Sequence, residues 1–209
     1  MARASPSRST TRATSLLFDD YDDAADAVGA LESTGVPSSD ISIMANNARG
    51  WHRNTQSPAA EDAASGAGIG AVVGGVGGLA TGLGAMAIPG VGPVVAAGWL
   101  AATAAGAVAG AIVGGAAGGI IGSLTDAGVP EEDAHVYAEG VRRGGTLVTA
   151  RVEDDLASEA RDVLRSSASV NIADRRSEYQ AGGWAAFDPA AGDYSADDVE
   201  REAARRRRA

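Results

Sequence analysis

The chain of 209 residues contains no cysteine and no lysine. The first absence excludes disulfides, thiolate nucleophiles and Cys-ligated metals. The second excludes a Schiff-base lysine and a phosphate-loop lysine, because all 17 basic residues are arginine. Imidazole comes only from His52 and His135. Neither has a second His or a Cys at ligand spacing, so no metal site is expected. No Gly-x-Ser-x-Gly elbow occurs, and the sequence marks out no catalytic residue, no cofactor and no small-molecule substrate. The net charge of −10 argues against a polyanion partner such as nucleic acid. Met1 to Thr14 is basic and Ser/Thr-rich but leads into no apolar stretch, which argues against a secretory signal. The expected location is the cytoplasm or the cytoplasmic face of a membrane.

Charge itself is missing over a long stretch. Between Asp62 and Asp126 there is no charged residue, and water-facing helices do not run that far without one. Pro89, Gly90, Gly92 and Pro93 break the run near its middle. A helix needs about 20 residues to cross a ~30 Å hydrocarbon core, and both arms are long enough. Glycine recurs every fourth residue at Gly66, Gly70, Gly74, Gly78 and Gly82. It does so again at Gly106, Gly110, Gly114, Gly118 and Gly122. Such spacing makes a small-residue stripe that lets helices pack closely in lipid. Residues 63–125 are therefore expected to form a glycine-zipper helical hairpin, transmembrane, with its tip at Pro89–Pro93. Arg49, Arg53, Arg142 and Arg143 flank it, which places both termini and the soluble part on the cytoplasmic side. Trp51 and Trp99 suit either a lipid interface or packing between the arms.

The flanks read as ordinary α+β sequence. Residues 1–14 are a disordered tail. Residues 15–47 read as a strand over Ser15–Tyr21, a helix opened by Asp22 and Asp23, and a strand around Ile41 and Ile43. Residues 48–62 are a linker. In 126–176, Pro130 to Asp133 open a helix that Gly144 and Gly145 end. A strand with Leu147, Val148 and Val152, a helix after Asp154 and Asp155, and a short strand with Val170 and Ile172 follow. The two strand–helix–strand units suggest a ferredoxin-like sandwich interrupted by the hairpin. Residues 177–209 read as a mostly disordered tail. Ser195 and Asp198 would cap a short charged helix within it.

The stretches Gly128–Ala134 and Tyr137–Val148, with Phe18-Asp19-Asp20, Gly35-Val36-Pro37, Asp40-Ile41-Ser42 and the glycine-rich insert, resemble the bacterial general stress protein (YflT-like) domain. Gly183-Trp184, Phe187-Asp188-Pro189, Tyr194 and Glu200-Arg201-Glu202 are similar to tails of proteobacterial relatives. The resemblance spans about residues 15–200. It implies a stress-induced protein and carries over no catalytic residue.

Three matches to a dinucleotide fingerprint, beginning at Gly66, Gly75 and Gly82, lie in the apolar run with no acid near the required distance, so no cofactor is expected. The acids Asp19, Asp20, Asp22, Asp23 and Asp26 read as a helix start and not a cation loop. Arg205, Arg206, Arg207 and Arg208 are candidate contacts for anionic lipid, against a plainly solvated terminus. The sequence thus points to a non-enzymatic stress-response protein held at a membrane, with zipper-driven homo-oligomers as partners. The alternatives are a soluble or amphitropic module with a shielded hairpin, and a zipper-built pore.

Overall fold

The computed structural model describes residues 11–50, 84–88, 90–100, 103 and 118–208. The fold is α+β. Its elements are β1 (Thr11–Phe18), α1 (Tyr21–Ser33), β2 (Ile41–Asn46), β3 (Gly84–Ile88), β4 (Gly92–Gly98), α2 (Gly118–Asp126), α3 (Glu131–Arg142), β5 (Thr146–Glu153), α4 (Ala157–Ser166), α5 (Ile172–Ala181) and α6 (Ala196–Arg206).

The five strands form one sheet in the order β1-β5-β2-β4-β3. Every neighbouring pair is antiparallel. β1 and β2 are joined through α1 with β5 inserted between them. β4 and β5 are joined through α2 and α3 with β2 inserted between them. Two split β-α-β crossovers therefore interleave.

Helices cover both faces, as the period-2 alternation of the strands dictates. Leu17, Met44, Val94, Ala96 and Leu147 meet Ile120, Ile121 and Leu124 of α2 and Ala134, Tyr137 and Val141 of α3. Phe18, Ile41, Ile43, Val95, Ala97, Val148, Ala150 and Val152 meet α1 and α4 on the other face. Burying each large apolar side chain contributes about 1.5–3 kcal/mol.

Local chemistry explains the helix ends. Asp20 caps α1, its Oδ1 accepting from the Asp22 N–H at 3.1 Å. Gly140 lets α3 lie against β1, since a Cβ there would stand 2.5 Å from Leu17 Cδ2. The expected cap on α6 is present: Ser195 and Asp198 form a reciprocal capping box.

Several expectations change. Within 63–125, residues 84–88 and 92–98 are not helical. They pair with each other and β4 pairs with β2. The Gly90–Gly92 break is the turn of a β-hairpin, not the tip of a helical one. At β4 the run misleads because a strand buried on both faces reads as a continuous apolar stretch. Gly118 and Gly122 fall on α2, and a Cβ at Gly122 would meet nothing within 4 Å. Gly66, Gly70, Gly74, Gly78, Gly82, Gly106, Gly110, Gly114 and Pro89 lie outside the described residues. The strand expected at Val170 and Ile172 does not form. Ile172 opens α5, and the Val170 N–H donates to Leu17 O at 2.8 Å. The tail from 177 onward is not disordered through 208: Tyr179, Phe187 and Val199 are buried in it.

Candidate functional site: an arginine-rich cluster beneath the tail

The densest polar chemistry lies where the tail crosses one end of the sheet. Glu139 on α3 is fully buried. Its Oε1 accepts from Arg142 Nη2 at 2.8 Å and Arg143 Nε at 2.6 Å, while Oε2 has no hydrogen-bond partner among the described residues. Arg143 also reaches Glu202 of α6 at 3.3 Å. Arg175 of α5 grips Asp19 through two parallel bonds of 2.9 and 2.8 Å, and its Nε meets Glu178 at 3.0 Å. Arg206 Nε approaches the same Asp19 at 3.1 Å. Asp19 follows directly on β1, so these bonds fasten α5 and α6 to the sheet.

Aromatic faces complete the cluster. Arg143 stands 4.2 Å from the Tyr179 ring centre, and Arg142 lies 5.1 Å from Tyr194 and 5.7 Å from Phe187. Desolvation alone would lower the Arg143 pKa, but its bond to Glu139 and the charge of that carboxylate carry it above the usual value. Arg175 follows the same pattern: desolvation lowers its pKa, and Asp19 and Tyr179 together outweigh it. Burial pushes the Tyr179 hydroxyl up, against the pull of Arg175 and Arg143. These four guanidinium groups all face carboxylates, and the nearest hydroxyl is held protonated. These pairs hold the tail to the sheet.

An open cleft of about 570 Å³ lies nearby, lined by Glu131, Glu132, His135, Arg176, Gln180 and Trp184. His135 Nδ1 accepts from the Phe187 N–H at 3.2 Å and Arg176 pairs with Glu132 and Asp133, while Arg176 Nε and Trp184 Nε1 are buried without a hydrogen-bond partner among the described residues. Among the described residues no group of His, Asp and Glu is arranged to hold a metal ion.

The residues expected to meet lipid are dispersed. Arg142 and Arg143, which the sequence places as cations flanking the apolar run, have side chains only 8% and 16% exposed. Arg49 donates to Val199 O at 3.4 Å, and Arg53 lies outside the described residues. Within the terminal run, Arg206 turns inward with its side chain 8% exposed, while Arg205, Arg207 and Arg208 face solvent. Trp99 donates to Asp40 O at 3.2 Å and stacks under Arg151 at 3.6 Å. Its reading as an interface residue or a packing residue thus gains a third term, an anchor on β5. Asp20, Asp22 and Asp23 serve the α1 start, as expected.

Glu139, Arg175, Glu202 and Tyr179 were not marked out by the sequence. The Arg142-Arg143-Gly144-Gly145 step and the tail aromatics were the available signal. Glu139 pairs within its own helix, at i,i+3 and i,i+4, but burial of Glu202 and Arg175 depends on pairings across 59 and 156 residues, which no local pattern reveals.

No family model matches the chain, and the searches of curated proteins and of solved structures give no match either.

Proposed function

We propose that this is a non-enzymatic stress-response module that works at the cytoplasmic face of a membrane, binding lipid through its charge-free arms. The observation that carries the reading is where those arms leave the sheet. Gly84 pairs with Ala96 and Gly98 ends β4, so both uncharged flanks, 63–83 and 99–117, leave from one end of one hairpin. The stress-response assignment rests on the sequence resemblance. The ferredoxin-like likeness rests on the two split crossovers, from which the fifth strand and the helices on both faces depart.

The sheet pairing favours an amphitropic arm over a spanning one. Residues 47–50 and 84–88 both belong to the folded domain, so an excursion between them must cross a bilayer an even number of times. That stretch is about 33 residues long, while two passes need about 40. Among the described residues no helix is long and apolar enough to cross a membrane. The arms then lie in the interface, and their Gly and Ala content makes the attachment reversible. The exposed arginines of α6 stand at the other end of the sheet, about 20–25 Å away for strands of this length.

Co-flotation of the full chain with vesicles tests this. Binding that survives high salt but is released by carbonate is the expected result. Absence from the vesicle layer at every lipid composition would overturn it. Retention after carbonate would support the spanning alternative, in which β3 and β4 leave the sheet.

A further inference from the structure

The tail and the sheet end it covers fit each other as ligand and seat. A Cβ on Gly90, at the turn between β3 and β4, would stand 2.3 Å from Pro189 Cα. One on Gly92 would stand 3.2 Å from Asp193 Cβ, and one on Gly144 would stand 2.3 Å from Val199 Cγ1. Three glycines, two at the β3–β4 turn and one just before β5, thus withhold a side chain where the tail passes. Arg142 adds polar recognition by donating to Gly192 O at 3.3 Å. Phe187 is the apolar anchor, 7% exposed within the α2–α3 core.

The tail is also self-contained. α6 carries its own capping box, and the turn Pro189–Ala191 is capped by Asp188. Between α5 and the anchor, residues 181–183, 185 and 186 are exposed. Gly183 and Trp184 bond back only to the last turn of α5, at Gln180 O and Tyr179 O. A glycine pair on such a connection is a hinge. The seated tail leaves Glu139 Oε2, Arg142 Nε and Arg206 Nη1 buried without a hydrogen-bond partner among the described residues, which lowers the cost of opening it.

We infer that residues 187–208 of one copy dock in the same seat on a second copy of this chain, swinging about Gly182–Gly183. The occupant is specified by the fit itself: the seat matches Phe187, Pro189, Asp193 and Val199, and exchange of an identical element forms a closed dimer without new contacts.

Tagged and untagged full-length chains, mixed at high concentration and then diluted, test the exchange. The untagged chain is expected to co-purify with the tagged one at dimer mass, in a fraction that rises with mixing concentration. The double variant Gly92→Cys/Asp193→Cys, oxidised at low concentration, ties the tail in place. The chain has no other thiol, and reduction provides the control. Oxidation is expected to lower the dimer at least tenfold, and reduction to restore it. Monomer mass throughout would overturn the proposal, as would a dimer unchanged by oxidation. Should that variant not fold, a protease site inserted between Gly182 and Gly183 and cut after folding gives an independent reading. Labelled peptide 184–208 is then expected to replace the native tail, and no incorporation would overturn exchange.

Discussion

Gly98 is the position where one added methyl group is expected to cost most. Its φ is +89°, and a Cβ would lie 2.2 Å from Ile41 O and 2.7 Å from Ser42 Cα. Both obstacles are backbone, so neither can swing aside. Gly98→Ala is expected to lower unfolding free energy by about 3 kcal/mol or more, read as a lower urea midpoint. A chain whose residue 98 lay in a lipid-facing helix would gain stability from the same change, so the outcome also tests the strand. Glu139→Gln removes the charge that faces Arg142 and Arg143. Breaking one side of a buried pair costs about 3–5 kcal/mol, and chemical denaturation checks it. Tyrosines give the alkaline response. Burial raises the pKa of Tyr137 and Tyr179, so the folded chain keeps protons that the unfolded chain releases. Stability from these groups is complete below an unfolded tyrosine pKa of about 10 and falls as pH rises through the higher folded values. Tyr179→Phe should flatten the loss of stability between about pH 10 and 11 in thermal melts at stepped pH.

At the scale of elements, the strand β4 carries the clearest prediction. Val95 is fully buried against α1 and α4 on one face while Val94 is buried on the other. Val95→Asp buries a carboxylate without a partner and is expected to abolish folding, seen as loss of near-UV dichroism. The same strand shows what the sequence could and could not say. Pro89, Gly90, Gly92 and Pro93 announced a reversal, and one occurs at Gly90–Gly92. The Val-Val-Ala-Ala segment of β4 carries no alternation, because partners cover both sides of the sheet there. α1, α3, β5 and α4 were legible because each has one polar edge and a marked start. α5 is not legible because Val170 and Ile172 alternate as in a strand, whereas only the Val170 N–H bonds to β1, at Leu17 O, before the chain turns helical. α6 was read as solvated because charge normally implies water; here Glu202 is 6% exposed and faces Arg143.

Across the whole molecule, the seated tail and the sheet share one core. Phe187 sits in the core with α2 and α3, and Arg175 and Arg206 both hold Asp19. Ending the chain at residue 181 would uncover Arg142, Arg143 and Glu139 together. A single shifted unfolding transition well below that of the full chain is expected by calorimetry. Two separate transitions in the full chain would show instead that the tail is an appendage. The interleaved strand order has a consequence for synthesis. Among the described residues β1 pairs only with β5, so Thr11 must wait for Glu153. While the ribosome makes the intervening residues, the first strand has no neighbour and the uncharged run emerges before the sheet can close around β4. Long-range closure of this kind is slow and exposes apolar surface. The yield of folded chain should therefore depend on how fast translation carries it past residue 153, and co-expression of a holding chaperone is expected to raise it.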